Sequence, residues 1–219
     1  MRVVIAGGHG KIALRLERML AARGDVAVGL IRNPQHVPDL RDVGAVPAIC
    51  DLESASVDDV AAQLRGADAV VFAAGAGPGS GIPRKDTVDR AAAALLADAA
   101  QRAGVHRYLL VSSMGVDSPP SVTHDEVFAA YLRAKKSAEE DLRARPLNWT
   151  ILRPGLLTDA PATGRVRLEP HVERGDVSRD DVAQVLMALL DVATGGETLE
   201  LVGGETPIPD AIARIRRRG

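Results

Sequence analysis

A short apolar segment runs directly into a glycine-rich turn and then into a helix-like segment near the start of the chain. Residues 3–6 are Val-Val-Ile-Ala, and Gly7, Gly8 and Gly10 follow before the helix-like segment 11–23. Glycine permits positive φ and lets another backbone or a ligand approach closely. The start of a helix offers unpaired N–H groups and a partial positive charge. A strand, a tight turn and a helix in this order predict a cradle for a phosphate group.

The spacing in this turn is Gly7-x-x-Gly10-x-x-Ala13, which differs from the strict Gly-x-Gly-x-x-Gly pattern. The alternative is an ordinary glycine-rich connection between a strand and a helix. His9 lies inside the turn, where we expect it to present its backbone N–H to phosphate and not to act as a base. The residues of this turn and of the helix start that we predict to bind the phosphate-bearing cofactor are Gly7, Gly8, His9, Gly10, Lys11 and Ile12.

Short runs of Val, Ile and Leu alternate with helical segments along the chain. The predicted strands are residues 3–6, 26–31, 46–49, 69–73, 107–112, 150–153 and 198–202. The predicted helices are residues 11–23, 57–65, 87–103, 125–144, 179–191 and 210–217. The strands are continuous apolar runs, as expected where helices cover both faces of a sheet. The alternation predicts an α/β protein with a doubly wound, mostly parallel sheet, a Rossmann fold in three α/β/α layers that binds ligands beyond the carboxyl ends of its strands.

Length and charge narrow the class of protein further. For 219 residues we expect a single domain, 1–219, with a small substrate-side extension over about 155–219. The net charge is −2 and the basic residues are scattered, which argues against a nucleic-acid partner or an anionic membrane surface. Cys50 is the only cysteine, so an internal disulfide and a cysteine-based zinc site are excluded. No metal is expected, because the histidines outside the turn lack metal-ligand spacing.

The sequence also predicts where the protein resides. The longest apolar run, residues 69–76, is far shorter than the ~20 residues that span a bilayer. The chain enters its first strand at once and leaves no room for a signal peptide, so we expect a cytoplasmic protein. The segment 75–83 is rich in Gly, Pro and Ser, and we expect it to form a mobile loop beside the site.

The residues that follow the second and third strands bear on the kind of nucleotide. An NAD-specific site usually places Asp or Glu after the second strand to bind the ribose hydroxyls. This chain has Arg32 there instead, and a guanidinium suits a 2′-phosphate, so NADP(H) is favoured over NAD(H). The alternative is that Arg32 is a solvated loop residue. Asp51 and Leu52 follow the third strand, where the carboxylate would lie near the adenine amino group or would simply cap a turn.

Two further groups of residues could carry chemistry. Ser112 and Ser113 end the fifth strand, which places two hydroxyls at the carboxyl edge of the sheet. Tyr131 and Lys135 lie four residues apart, on one face of the predicted helix 125–144. A nearby ammonium stabilises a phenolate, which makes a tyrosine a better general acid or base near neutrality. The alternative is an amphipathic surface helix that carries both residues by chance.

Taken together in this order, these features resemble the short-chain dehydrogenase/reductase superfamily. The whole chain is similar to its short atypical members, the NAD(P)-binding, NmrA-like and epimerase-like proteins. The resemblance covers essentially residues 1–205 and rests on the motifs at residues 7–10, 32–34, 51–52, 73–75, 111–113, 131–139 and 149–157.

The resemblance implies roles for individual residues. Ala73, Ala74 and Gly75 would border the adenosine ribose, and Ser112 would line the cofactor. Lys135 would bind the nicotinamide ribose. The carboxamide would be met by Pro154, Gly155 and Leu156, and the catalytic set would be Ser113, Tyr131 and Lys135.

These observations predict an NADP(H)-dependent oxidoreductase that acts on a small carbonyl or quinone-like substrate, as a monomer or a homodimer. A non-catalytic NADP(H)-binding redox sensor is the alternative from a different class. A sugar-nucleotide epimerase or dehydratase is a third hypothesis. The residues after Pro154 are too few to build the larger substrate domain of such enzymes, which weakens that third hypothesis.

Overall fold

The computed structural model of the protein describes residues 1–77, 79–117, 126–192 and 194–216. Within these ranges the strands are β1 Arg2–Ala6, β2 Val26–Ile31, β3 Val46–Ile49, β4 Ala69–Phe72, β5 Arg107–Val111, β6 Asn148–Pro154, β7 Leu156–Thr158, β8 Arg165–Glu169, β9 Asp176–Ser178, β10 Glu197–Gly203 and β11 Thr206–Pro207. The α-helices are α1 Lys11–Arg23, α2 Val37–Asp42, α3 Val57–Gln63, α4 Gly81–Arg84, α5 Ala92–Ala103, α6 Glu126–Arg143, α7 Arg179–Leu190 and α8 Ile208–Arg216. A 3₁₀ turn at Pro34–His36 precedes α2, and a π-helical segment at Lys85–Ala91 joins α4 to α5.

Nine of the strands form one sheet in the order β11-β8-β10-β6-β5-β4-β1-β2-β3. All neighbours from β3 to β10 pair in parallel, and β8 runs antiparallel to β10 and β11. The direction of winding reverses between β1 and β4, because β1 to β3 extend the sheet one way and β4 to β6 extend it the other way. Crevices at such reversal points are where open α/β sheets bind ligands. Strands β7 and β9 form a separate parallel pair.

Alternate residues of the central strands pack into two different apolar cores. Val3 and Ile5 belong to a core shared with α1, α7 and α8, whereas Val4 and Ala6 belong to a core shared with α3 and α5. The alternation follows from the two-residue period of a strand, which points successive side chains to opposite faces. The fold prediction is confirmed: a mostly parallel sheet lies between two helical layers.

Local signals explain several helix ends. Helix α1 ends at Gly24, whose φ of 88° is left-handed and suits glycine. The Ser56 side chain accepts a hydrogen bond from the Asp59 amide, and the Asp59 carboxylate accepts one from the Ser56 amide, so a capping box begins α3. Ser178 caps α7 by accepting from the Asp181 amide.

The structure differs from the predicted elements mainly where elements are short or irregular. The predicted helix 87–103 begins earlier, as the π-helical segment, and becomes regular only at α5. Residue 125 of the predicted helix 125–144 lies outside the described residues. The short elements α2, α4, β7, β8, β9 and β11 were not predicted, because none of them has a long apolar run. Of the segment 75–83, residues 81–83 belong to α4, and mobility of the rest stays a prediction.

Across the described residues, helices that combine enough length and enough hydropathy to cross a bilayer are absent.

Candidate functional site

A cleft of about 270 Å³ opens at the carboxyl ends of β1 and β4, where the winding of the sheet reverses. It brings together nine of the predicted cofactor residues: Gly7, His9, Gly10, Arg32, Asp51, Leu52, Ala73, Ala74 and Gly75. The topology causes this convergence, because the residues after β1, β2, β3 and β4 all emerge at one edge of a parallel sheet. Further lining comes from residues that the sequence did not single out, among them His36, Glu53, Arg84 and Val88.

The glycine turn is shaped for close approach of a backbone or a ligand. Gly7 has a φ of 80°, and a Cβ there would lie 2.6 Å from the Ala74 Cα. The Gly10 amide donates to the Gly7 carbonyl at 2.7 Å, which closes the turn immediately before α1. Gly10 has no side chain with which to cap α1, and the first turn of that helix contains no acidic residue. The amino end of α1 therefore suits an anion in the cleft.

Three predicted members of this turn lie elsewhere. Gly8 packs against β2, since a Cβ there would lie 2.6 Å from the Gly29 Cα, and its amide donates to the Leu30 carbonyl. Ile12 packs against the core beneath the sheet. The Lys11 ammonium donates to an Asp159 carboxylate oxygen at 2.7 Å. None of the three lines the cleft as the structure describes it.

His9 and His36 form a stacked pair at the cleft. Their ring centroids are 3.6 Å apart with an angle of 14° between the planes. The His9 Nε2 lies 2.7 Å from the Asp39 carboxylate, and this hydrogen bond fixes the orientation of the His9 ring. The sequence predicted a backbone role for His9, and the His36 ring was not foreseen because it reaches the site through the unpredicted 3₁₀ turn.

Arg32 lines the cleft and pairs there with an acid. Its Nη1 donates to the Glu53 Oε2 at 2.9 Å, and the Arg84 Nη2 donates to the same oxygen at 2.7 Å. The Thr87 hydroxyl donates to the Glu53 Oε1 at 2.7 Å. The hydrogen bonds from Arg84 and Thr87 hold the pKa of Glu53 below its ordinary value. The sequence predicted Arg32 alone, because the other partners come from distant segments.

Asp51 fulfils the simpler of its two predicted roles while lining the cleft. Its Oδ1 accepts a hydrogen bond from the Glu53 amide at 3.0 Å, which is an Asx turn. This turn carries Glu53 towards Arg32. Leu52 lines the same cleft and packs against the apolar core formed with α3 and α5.

The two serines after β5 have different surroundings. The Ser112 hydroxyl is buried and donates to the Glu139 Oε1 at 2.5 Å. The Ser113 hydroxyl is half-buried and donates to the Met114 carbonyl at 3.1 Å. Ser112 is therefore held by a protein carboxylate, and Ser113 is the more accessible hydroxyl at this edge of the sheet.

Tyr131 and Lys135 lie on one face of α6, and a second lysine joins them. The Lys135 ammonium lies 5.9 Å from the centroid of the Tyr131 ring, and the Lys85 ammonium lies 5.6 Å from the same centroid. Lys85 is buried and donates to the Gly77 carbonyl at 2.8 Å. The sequence did not single out Lys85, because it lies in the π-helical segment far from Tyr131 in the chain.

The buried Lys135 ammonium is held on three sides. It donates to the Val111 carbonyl at 3.1 Å and to the Ala74 carbonyl at 3.4 Å. It also lies 3.3 Å from the carboxylate of Asp89, which is fully buried. The other Asp89 oxygen accepts from the Ala76 amide at 3.2 Å. Lys135 thus joins the ends of β4 and β5 to the π-helical segment.

The segment predicted to meet the carboxamide lies outside the described cleft. The Pro154 carbonyl accepts from the Met114 amide, the Gly155 amide donates to the Leu201 carbonyl, and the Leu156 amide donates to the Gly175 carbonyl. A Cβ at Gly155 would meet the Gly175 carbonyl oxygen. The Leu156 side chain is 73% exposed. These three residues form the junction at which β6 ends and β7 begins.

A buried ionic network, which the sequence did not predict, lies next to the carboxyl ends of β5 and β6. Arg153 makes two hydrogen bonds to the fully buried Glu139, at 2.9 and 2.6 Å, and a third to Asp117 at 2.6 Å. Burial acts to lower the pKa of Arg153, but Glu139 and Asp117 outweigh it and raise the pKa. Because Glu139 also accepts from Ser112, the network fixes β5, β6 and α6 relative to one another. Its members are too far apart in the chain for their pairing to be seen in the sequence.

In the part of the chain that the structure describes, His, Cys, Asp and Glu side chains form no group of three or more that could hold a metal ion.

The chain is similar to several known proteins. A family model described as NAD(P)H-binding matches residues 7–192. YhfK from Bacillus subtilis (strain 168), called an uncharacterized sugar epimerase, is 34% identical over 217 residues, which cover 98% of this chain and 100% of that protein.

The fold of the chain is also similar to that of solved structures. A Bacillus halodurans protein, provisionally assigned as an NAD-dependent epimerase/dehydratase, has a TM-score of 0.90 and 34% identity and covers 98% of this chain and 99% of its own. ChuY from Escherichia coli O157:H7, an anaerobilin reductase, has a TM-score of 0.79 and 26% identity and covers 93% of this chain and 97% of its own.

Proposed function

The chain belongs to the NAD(P)H-binding family, and we propose that it is an NADP(H)-dependent oxidoreductase that acts on a small carbonyl or quinone-like substrate. The observation that carries the proposal is the cleft at the winding reversal, which is lined by the glycine turn and by Arg32. A glycine turn that closes directly before the uncapped start of α1 fits a pyrophosphate. The residues present therefore fit a dinucleotide.

Each part of the cleft would bind a different part of the cofactor. The turn from Gly7 to Gly10 and the start of α1 would hold the pyrophosphate. Ala73, Ala74 and Gly75 would border the adenosine ribose, since they line the cleft directly after β4. Arg32 would bind the 2′-phosphate, because a planar guanidinium pairs well with phosphate oxygens. This contact favours NADPH over NADH.

The residues that would carry the chemistry lie directly after β5 and on one face of α6. A bound nicotinamide supplies the hydride in such a reduction. Tyr131 would donate its phenolic proton to the substrate oxygen as the carbonyl carbon becomes C–H, and Ser113 would hold that oxygen in place. The Lys135 ammonium is fixed by its contacts with Asp89, Val111 and Ala74 at the ends of β4 and β5. It would therefore bind the ribose at a fixed position close to Tyr131.

The names of the relatives favour two different reactions. The similarity to an anaerobilin reductase supports hydride transfer to an external acceptor. The similarity to proteins named as epimerases supports the rival, a sugar-nucleotide reaction in which the cofactor stays bound.

Calorimetric titration with NADPH and NADH, followed by a turnover screen, tests this proposal. We expect NADPH to bind more tightly, and Tyr131→Phe to abolish reduction of carbonyls or quinones while NADPH affinity stays within about threefold. Lys136→Met is the matched control, since this lysine is exposed beside Lys135. Binding of neither nucleotide would contradict the proposal. Binding without turnover across the panel would favour a redox sensor, and conversion of nucleotide-sugars would favour the epimerase.

A further inference from the structure

Two arginines from different segments converge on one carboxylate oxygen at the cleft. The Glu53 Oε2 accepts from the Arg32 Nη1 at 2.9 Å and from the Arg84 Nη2 at 2.7 Å. Arg32 follows β2, Glu53 follows β3, and Arg84 ends α4. All three residues line the same cleft. Two guanidinium groups that meet at one anionic oxygen form a ready-made site for an anion, and Glu53 occupies it.

We propose that Arg84 is a second ligand of the NADP 2′-phosphate, and that Glu53 sets the preference between NADPH and NADH by competing with this phosphate for Arg32 and Arg84. The inference rests on the proposed function, because it concerns the same cofactor. It adds two residues that determine specificity and that come from outside the segment after β2.

The charges of the competing groups give the direction of the effect. A phosphate monoester carries about −1.5 to −2 charges at neutral pH and three acceptor oxygens, whereas a carboxylate carries one charge and two oxygens. The phosphate can therefore serve both guanidinium groups better than Glu53 does. NADH has no 2′-phosphate, so with that nucleotide Arg32 and Arg84 keep their pairing with Glu53. The carboxylate lowers the affinity for NADPH selectively, because only NADPH must displace it.

Glu53 has a second anchor that allows this exchange. Its other oxygen, Oε1, accepts from the Thr87 hydroxyl at 2.7 Å. When the 2′-phosphate takes over both guanidinium groups, this hydrogen bond can keep the carboxylate at the edge of the cleft. Glu53 is a partly exposed side chain, so rotation away from the arginines exposes it to water and does not bury a charge.

The rival explanation is that the cluster only fastens the loops after β2 and β3 to α4. In that case Arg84 and Glu53 would affect both nucleotides equally, through the shape of the cleft. The two explanations differ in the ratio of NADPH to NADH affinity and not in either affinity alone.

Calorimetry on the full chain separates them, with NADPH, NADH and the fragments adenosine 2′,5′-bisphosphate and AMP as titrants. We expect Arg84→Ala to weaken NADPH and the bisphosphate about tenfold and to leave NADH and AMP within about twofold. Arg84→Lys should keep part of the preference, since it keeps the charge and loses the fork. Glu53→Gln should strengthen NADPH relative to NADH several-fold.

Arg90→Ala is the matched control. Arg90 belongs to the π-helical segment next to α4, pairs with Asp86 and does not line the described cleft, so its loss removes the same charge without touching the site. An unchanged ratio in Arg84→Ala and Glu53→Gln, or an equal change in Arg90→Ala, would overturn the inference and leave the proposed function standing. Failure of the wild-type protein to bind either nucleotide would overturn both.

Discussion

Glu17 is buried in surroundings that disfavour the charged form of its carboxyl group. It lies in α1, fully buried, and neither of its carboxylate oxygens has a hydrogen-bond partner among the residues that the structure describes. Its Oε1 lies against the backbone of Gly29 and near Gly8, immediately behind the glycine turn. Burial raises the pKa of Glu17 from 4.5 to about 8. The carboxyl group therefore keeps its proton at neutral pH.

This pKa predicts how stability depends on pH. Because the folded-state pKa lies above the unfolded value, the contribution of Glu17 is fully present below about pH 4.5 and is lost as the pH rises through about 8. Glu17→Gln should remove this dependence, so the free energy of unfolding of the variant should exceed that of the wild type by a growing amount, up to several kcal/mol, as the pH rises.

Urea unfolding at a series of pH values measures the difference. Glu140→Gln, at an exposed position of α6, is the control that removes a carboxyl group without a burial effect. Parallel curves for Glu17→Gln and the wild type would show that Glu17 finds water or a partner in solution.

The sequence predicts contacts between neighbouring residues, but it does not predict the pairing of residues that are far apart in the chain. Gly7 and Gly10 could be identified because a turn between a strand and a helix is specified by neighbouring residues. Arg84 and Glu53 could not, because their pairing depends on how α4 folds back over the loop after β3. No spacing rule in the chain indicates such a contact.

At the scale of elements, the π-helical segment Lys85–Ala91 differs most from its prediction. The apolar pattern there predicts a regular α-helix over 87–103, and a π-helix has no distinct sequence signal of its own. The wider turn points Lys85, Val88 and Asp89 inward together. It thereby brings a carboxylate to Lys135 and an ammonium to Tyr131. The sequence predicted the Tyr131–Lys135 face of α6 but not the element that packs against it.

We predict that Asp89→Ala destabilises the fold strongly, because it leaves the Lys135 ammonium buried without a carboxylate. Breaking one side of a buried ion pair typically costs about 3–5 kcal/mol. Asp86→Ala, which removes an exposed acid from the same segment, should have little effect. The double variant Asp89→Leu with Lys135→Met should recover part of the loss, because no charge is then left buried.

Chemical denaturation followed by circular dichroism measures these differences. Equal losses for Asp89→Ala and Asp86→Ala would mean that Lys135 does not depend on Asp89.

At the scale of the whole molecule, the carboxyl-terminal segment shares its core with the amino-terminal half. Strand β10 pairs with β6, and α7 packs on α1. Val3, Leu16 and Leu20 belong to the same apolar core as residues of α7, β10 and α8. The sequence predicted the alternation that produces the parallel sheet. The antiparallel extension through β8 and β11 escaped prediction, because short edge strands lack the continuous apolar runs of buried ones.

This shared core predicts that the chain unfolds as one cooperative unit, and a probe in one part of it should report damage in the other. Trp149, the only tryptophan, lies in β6 and packs against the core formed with α3 and α5, on the opposite face of the sheet from α7.

Leu186→Ala in α7 should lower the free energy of unfolding by about 2–5 kcal/mol, as deletions of buried leucine side chains do. Trp149 fluorescence and far-ultraviolet circular dichroism should show the same shift of a single transition, because a two-state unit loses all its structure together. Leu142→Ala, in α6, is the counterpart from the other core and should shift both signals in the same way. If Leu186→Ala moved the circular dichroism signal and left the Trp149 transition in place, the segment after residue 155 would be a separate folding unit, and the cleft would rest on the amino-terminal half alone.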